Sequence, residues 1–144
     1  MSGIYDDHGI RFEYPAEWEL EVTEDGPRVT VSVQSNTGLA FALVTIDSDR
    51  PEPVELVDEA LAALREEYPT LFDQPALEEI DGHKAAGYDV EFMSLDLNNS
   101  GVIRGWQTPR RTIFLLAQWS DDLEGEEAEL SLIALRRSLE ETDA

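Results

Sequence analysis

The apolar residues of this 144-residue chain change their spacing along the sequence, and this change limits the folds it can form. In "WELEV" and "RVTVSVQ" every second residue is apolar, a period typical of half-buried β-strands. The intervening "EDGP" is a hairpin turn signal. The continuous apolar run "LAFALVTI" at 39–46 predicts a central strand buried on both faces. The first third is therefore predicted to be sheet.

Two later stretches have helical spacing. "PEPVELVDEALAALREEYP" repeats apolar residues at helical intervals, with Pro53 suited to the first turn and Pro69 to the stop. "EGEEAELSLIALRRSLEE" carries an apolar stripe from Ala128 to Leu139, with early glutamates and late arginines that match the helix dipole. We expect a middle helix and a C-terminal helix.

The block between these helices returns to strands. The strands "ALEEI", "AAGYDVEFMSL", "VIRGWQT" and "TIFLLAQW" are separated by the predicted turns "DGHK", "NNSG" and "TPRR". The last of these strands is expected to be buried on both faces. Hairpins alternating with helices predict an α+β fold, in which both helices cover a mostly antiparallel sheet. The length suits one domain over residues 1–144.

The net charge is −22, from 32 acidic and 10 basic side chains. Such a field repels nucleic acid and anionic membranes and attracts cations and basic proteins. The chain has no cysteine, which excludes disulfides, thiolate catalysis, iron–sulfur clusters and zinc–cysteine sites.

Lys84 is the one lysine in the chain. An acid-rich, lysine-poor surface is typical of proteins adapted to high salt, although a GC-rich genome also replaces lysine by arginine.

No apolar run approaches the ~20 residues of a membrane span. The beginning "MSGIYDDHGI" lacks the pattern of a signal peptide. We therefore expect a cytoplasmic protein that does not insert into membranes.

The segment "GIRFEYPAEWEL" combines an aromatic residue, a proline corner and a tryptophan at Tyr14, Pro15 and Trp18. Together with the I-x-G-x-x-A hairpin at 80–85, it resembles the PsbP-like family. The resemblance implies an α/β/α sandwich. That family includes photosystem II subunits, a factor that binds the Ran GTPase, DcrB-like envelope lipoproteins and chaperones for secreted effectors. Most members bind other proteins, so the resemblance implies a non-enzymatic adaptor or chaperone-like accessory module.

Few residues offer chemistry. His8 beside Asp6 and Asp7 could ligate a divalent metal, but "DDHG" is also an ordinary turn. His83 likewise fits a turn. No G-x-S-x-G, Walker A or G-x-G-x-x-G motif is present, and adjacent acids are expected by chance in so acidic a chain. We predict no catalytic residue, no metal ligand and no cofactor.

The segment "RGWQTPRR" is the basic island of the chain, and it contains Arg104, Trp106, Arg110 and Arg111. Arginine and tryptophan are enriched in interface hot spots, so these four residues are predicted to bind a protein partner. The alternative is that Trp106 belongs to the core and that the arginines pair with nearby acids.

Three hypotheses of function follow. The first is a non-enzymatic module that binds an unknown protein partner. The second is an acidic protein that binds divalent cations through Asp6 and Asp7 or through the segment 121–129. The third and weakest is a hydrolase that uses buried carboxylates. An exposed edge strand could also support a homodimer.

Overall fold

The computed structural model describes residues 2–122 and 124–142. It contains the helices α1 (Pro53–Glu67) and α2 (Gly125–Ser138). The strands are β1 (Ser2–Asp7), β2 (Ile10–Pro15), β3 (Glu19–Asp25), β4 (Arg28–Gln34), β5 (Phe41–Asp47), β6 (Phe72–Ile80), β7 (His83–Ser94), β8 (Leu97–Gln107), β9 (Thr112–Ser120) and β10 (Glu140–Glu141).

The main sheet has seven antiparallel strands in the order β3-β4-β5-β9-β8-β7-β6. A smaller sheet in the order β1-β2-β10 joins the two ends of the chain. The strands β3 and β6 therefore form the two edges of the main sheet. The pairing of β5 with β9 brings the N-terminal and C-terminal groups of strands together.

The two helices cover opposite faces of the main sheet. On one face, Val57 and Leu61 of α1 pack against Val90, Phe92 and Ile103. On the other face, α2 and the small sheet cover the larger core. The core residues contributed by α2 are buried because they repeat at helical spacing, and they are Ala128, Leu132, Leu135 and, just beyond the helix, Leu139.

The α+β prediction is confirmed, with both helices where the apolar period places them. Pro53 opens α1, since a proline needs no N–H partner in the first turn. At the predicted corner, the Trp18 amide donates to the Pro15 carbonyl at 3.0 Å. The Trp18 side chain is half-buried against the larger core.

Three local predictions are wrong. The segment "NNSG" lies inside β8, and the turn falls at Leu95 and Asp96, which both have positive φ. The strands β5 and β9 are not fully buried on both faces, since Phe41, Leu43 and Leu116 remain partly exposed on the face toward α1. β6 begins at Phe72, four residues before the predicted start. None of the helices in residues 2–122 and 124–142 has the length and apolar character to cross a membrane.

Candidate binding site

The basic island does not form one surface. Arg104 is 4% exposed and Trp106 is 3% exposed. The Arg104 guanidinium donates to Glu78 Oε1 at 2.9 Å, to Asp89 Oδ1 at 2.7 Å and to the Tyr88 carbonyl at 3.1 Å. At this level of burial, neither side chain projects from the surface of the folded chain. Their surroundings match the alternative given above, in which Trp106 belongs to the core and Arg104 pairs with nearby acids.

Arg110 and Arg111 lie in the turn that joins β8 to β9. Arg111 Nη1 donates to Glu141 Oε2 at 2.9 Å and to the Gly9 carbonyl at 2.8 Å, so it ties the small sheet to the main sheet. Arg110 is exposed and donates to the Thr142 carbonyl at 3.3 Å. A partner-binding role for these residues stays a prediction, and Arg110 is the member of the four that faces solvent.

His8 contacts neighbouring side chains of the fold, Tyr5 and Glu24. His8 occupies the turn between β1 and β2 with a φ of 55°, and its Nε2 lies 2.7 Å from Glu24 Oε1. Tyr5, which is 7% exposed, places its hydroxyl 2.6 Å from His8 Nδ1. Burial raises the pKa of Tyr5 to about 12, and the charges of Asp7 and Glu24 add to the effect.

Neither predicted acidic cluster is arranged as a metal site. Within residues 2–122 and 124–142, no three His, Asp or Glu side chains are grouped so that they could hold a metal ion. In the segment 121–129, Asp122 Oδ1 accepts the Glu124 amide at 3.1 Å, while residue 123 is outside the described residues.

A groove of about 460 Å³ lies between the start of α1 and the strands β6, β7 and β8. We name it the α1 groove. Its lining is mainly apolar, with Pro53, Val54, Val57, Pro75, Ala86, Tyr88 and Trp106 beside the polar Asp58, His83, Lys84 and Gln107. The volume lies within the range of about 300–1,000 Å³ found for ligand pockets.

Two glycines allow close packing at this groove, Gly105 against α1 and Gly87 against the backbone of β8. A Cβ on Gly105 would lie 2.9 Å from Val57 Cγ2 and 3.3 Å from the Pro53 carbonyl oxygen. A Cβ on Gly87 would lie 1.8 Å from the Ile103 carbonyl oxygen, which no side chain can tolerate. Position 87 therefore requires glycine, whereas a Cβ at Gly105 would force the Val57 side chain to shift.

The polar contact at the groove wall joins α1 to β7. The Tyr88 hydroxyl donates to Asp58 Oδ1 at 3.3 Å. The negative charge of Asp58 raises the pKa of Tyr88, and partial burial adds to the shift. Next to this contact, Val54 is 64% exposed and Leu77 is 65% exposed. Leu77 pairs with Ala86, one of the lining residues, so the apolar surface continues from the groove onto β6.

A second hollow of about 570 Å³ lies on the opposite face of the sheet, between α2 and the strands β6 to β9. We name it the α2 cleft. Phe72, Trp119 and Ile133 contribute apolar surface to it. Its charged lining consists of Asp89, Glu91, Glu129, Arg104 and Arg136. Arg136 is bound to Glu78, as Arg104 is, so both arginines are already neutralised by carboxylates.

Sequence reasoning missed both hollows because each is built from residues far apart in the chain. Pro75 is the one local signal near them, since a proline inside a strand indicates a sheet edge. The sequence pattern places the start of this strand at Ala76, which leaves Pro75 outside the predicted strand.

The fold is similar to that of solved proteins. Cyanobacterial PsbP (CyanoP) from Synechocystis sp. PCC 6803 matches 97% of this chain and 92% of its own, with a TM-score of 0.65 and 12% identity. LpqN, a protein involved in cell envelope biogenesis of Mycobacterium tuberculosis, matches 99% of this chain and 91% of its own, with a TM-score of 0.56 and 12% identity.

A third structure, from Bacteroides thetaiotaomicron VPI-5482, matches 93% of this chain and 45% of its own, with a TM-score of 0.55 and 10% identity. No protein-family model matches the sequence, and no curated protein matches it. The chain has the PsbP-like fold, as the segment around Tyr14, Pro15 and Trp18 predicts. At these identities the similarity establishes the fold, so function has to be argued from the surface.

Proposed function

We propose that this chain with the PsbP-like fold is a protein-binding module, and that the α1 groove is its recognition surface. The observation that carries the proposal is the position of two large apolar side chains at the groove. Val54 and Leu77 are 64% and 65% exposed, and both adjoin the apolar lining of the groove. Contiguous apolar surface with a polar border is typical of interaction sites.

The shape also favours a macromolecular partner over a small molecule. The apolar surface extends out of the groove along β6, so a ligand confined to the groove leaves Leu77 in water. A protein segment would cover both, and its apolar core would be bordered by Asp58 and Lys84. The sequence-based expectation of a non-enzymatic role accords with this proposal and remains a prediction, as does the cytoplasmic location.

The test is affinity capture from a lysate of the source organism, followed by reconstitution with the purified candidate. The groove variant carries Val54→Glu and Leu77→Glu. The matched control carries Met93→Glu and Leu130→Glu, at positions 59% and 62% exposed that lie outside the groove. All four side chains face solvent, so both variants are expected to fold, which circular dichroism checks.

We expect the wild-type protein and the control to bind the same partner with equal affinity. The groove variant should lose about tenfold or more in affinity, because it places charge against a desolvated apolar contact. Equal binding by both variants would remove the α1 groove from the proposal. Absence of any partner that survives reconstitution would end the protein-binding proposal itself.

A further inference from the structure

The strand β6 is an open edge of the main sheet. It pairs with β7 along its nine residues, and within residues 2–122 and 124–142 no strand pairs with its other side. In a strand, backbone N–H and C=O groups alternate in direction. About half of the β6 backbone groups therefore point away from the sheet and can accept a further strand.

The two edges of the sheet differ in how they are protected. β3 carries Glu19, Glu21, Glu24 and Asp25 within seven residues, and charged edges discourage pairing. β6 instead exposes Phe72 and Leu77, at 63% and 65%. Its protection consists of Pro75, which lacks one N–H, and of a few carboxylates. β6 is thus the edge with the weaker protection against an added strand.

Both hollows adjoin this edge, one on each face. Phe72 and Gln74 of β6 line the α2 cleft, whereas Pro75 lines the α1 groove. Side chains of an extended peptide point alternately to the two faces of a sheet. A strand added to β6 would therefore direct alternate side chains toward the α1 groove and toward the α2 cleft.

The two hollows differ in chemistry. The α1 groove is apolar, so it suits aliphatic or aromatic side chains. In the α2 cleft, the exposed Glu91 and Glu129 form no ion pair among the described residues, and they lie beside Trp119 and Phe72. Carboxylates next to aromatic rings suit arginine or lysine, because the ring faces also attract cations.

We propose that β6 binds an extended segment of a partner protein in which basic and apolar residues alternate. The basic side chains enter the α2 cleft and the apolar ones enter the α1 groove. This inference rests on the proposed protein-binding function and specifies its partner. Main-chain hydrogen bonds supply affinity and the two hollows supply specificity, as in other cases of strand addition.

A second copy of this chain does not meet that description. The segment "FDQPALEEI" of β6 has three acidic residues and no basic one. Two copies would also each carry a net charge of −22. Pairing β6 with its own copy places carboxylates against carboxylates and leaves Glu91 and Glu129 without cations.

The experiment uses a synthetic peptide in which arginine and valine alternate, with about nine residues to match the length of β6. A block peptide of the same composition, with all arginines preceding all valines, measures unspecific charge attraction. Two further peptides carry N-methyl groups on either the arginines or the valines. N-methylation removes donors from one side of the extended backbone and leaves the charge unchanged.

Binding is measured by calorimetry with the full chain. Two protein variants of equal charge complete the set. Glu91→Gln with Glu129→Gln alters the α2 cleft, and Glu19→Gln with Glu21→Gln alters the opposite edge. We expect the alternating peptide to bind about tenfold more tightly than the block peptide. One of the two N-methylated peptides should bind the wild-type protein about tenfold more weakly than the parent peptide. The variant of the α2 cleft should also bind the parent peptide about tenfold more weakly, and the β3 variant should bind it as the wild type does.

Amide hydrogen exchange gives the direct readout, since strand addition protects the outward amides of β6 and leaves those of β3 unchanged. Equal affinity for the alternating and block peptides, or for both N-methylated forms and the parent, would overturn strand addition. A dimer seen by sedimentation without peptide, and lost with the peptide bound, would overturn the choice of occupant. Capture through Val54 and Leu77 does not require strand addition, so strand addition can fail while the protein-binding proposal stands.

Discussion

Glu78 and Arg136 are 58 residues apart in the chain, yet both carboxylate oxygens of Glu78 accept hydrogen bonds from Arg136 Nε, at 3.1 and 3.0 Å. Glu78 Oε1 also accepts from Arg104 Nε at 2.9 Å. One carboxylate on the edge strand β6 therefore holds a buried arginine of α2 and another of β8. The contact fixes α2 over the sheet beside the α2 cleft.

The first prediction concerns this carboxylate. Glu78→Gln should lower the free energy of unfolding by about 3 kcal/mol, because removing one partner leaves buried guanidinium charge uncompensated. The neighbouring Glu79→Gln is the matched control, since Glu79 is exposed on the same strand; it should change stability by less than about 0.5 kcal/mol. Urea denaturation measures both. Equal stability of the two variants would contradict the buried network.

The second prediction separates the members of the basic island. Arg104→Glu should destabilise the fold by at least about 3 kcal/mol, because it buries a carboxylate beside Glu78 and Asp89. Arg110→Glu should stay within about 0.5 kcal/mol of the wild type, since Arg110 is exposed. Thermal denaturation compares the two, and a tolerated Arg104→Glu would show that the segment is open to solvent.

The helices and most strands could be predicted because their signals are local. A stripe such as Ala128 to Leu139 contains its own period, and Pro53 and Pro69 bound α1 by their own covalent geometry. The turn at Leu95 and Asp96 could not, because both adopt the positive φ that is usual for Asn and Gly. The asparagines that suggested a turn lie inside β8, where Asn99 Nδ2 donates to the Leu97 carbonyl.

The site depends on partners that are distant in sequence. The sequence suggests that Arg104 is a surface residue because it belongs to a basic segment. Its burial is instead explained by its ion pairs with Glu78 and Asp89, which lie 26 and 15 residues away in the chain. The position of β6 at the edge of the sheet likewise follows from the strand order, and the spacing of apolar residues within one strand does not predict that order. Fold class was therefore accessible from the sequence, whereas the candidate binding surface was not.

The third prediction concerns high pH. The pKa of Tyr5 is about 12 in the fold, against 10.0 for an ordinary tyrosine. The raised pKa means that folding favours the protonated phenol. The Tyr5 phenol therefore makes its full contribution to the free energy of unfolding below pH 10. This contribution is lost as the pH rises from 10 toward 12, because in that range the unfolded chain releases the phenol proton more readily than the folded chain does. The loss is on the order of 2 kcal/mol.

Tyr5→Phe isolates this effect, since phenylalanine keeps the ring that packs on Phe12 and has no proton to release. We expect urea denaturation to show a steeper fall in wild-type stability above pH 10 than in the variant. At neutral pH the variant should be slightly less stable, because His8 Nδ1 loses the Tyr5 hydroxyl. Parallel pH profiles would show that the Tyr5 phenol titrates as in water.

The fourth prediction concerns the glycine beneath the α1 groove. Gly87→Ala should cost about 2 kcal/mol or more of stability, because its Cβ would overlap the Ile103 carbonyl oxygen. Gly101→Ala is the control in the adjacent strand, where the nearest atom would be 3.0 Å away. A smaller loss is expected there. Equal losses would contradict the special closeness of β7 to β8 at Gly87, since neither glycine has a positive φ.

The fifth prediction concerns salt. With a net charge of −22, carboxylates repel one another throughout the folded surface. The screening length falls from about 30 Å at 0.01 M salt to about 3 Å at 1 M, so added salt should stabilise the compact state. Each kcal/mol of relieved repulsion raises the Tm by about 3 °C in a chain of this size. Calorimetry across this salt range measures the slope.

A variant with fewer charges on one edge tells general repulsion from specific ion binding. Glu19→Gln, Glu21→Gln and Asp25→Asn remove three of the charges on β3, where all three side chains are exposed. If repulsion governs stability, this variant melts higher than the wild type in low salt and depends less on added salt, because fewer charges remain to be screened. Sodium and potassium chloride should act alike. A Tm that is the same in low and molar salt would contradict the prediction, and with it the interpretation of the acidic surface as an adaptation to salt.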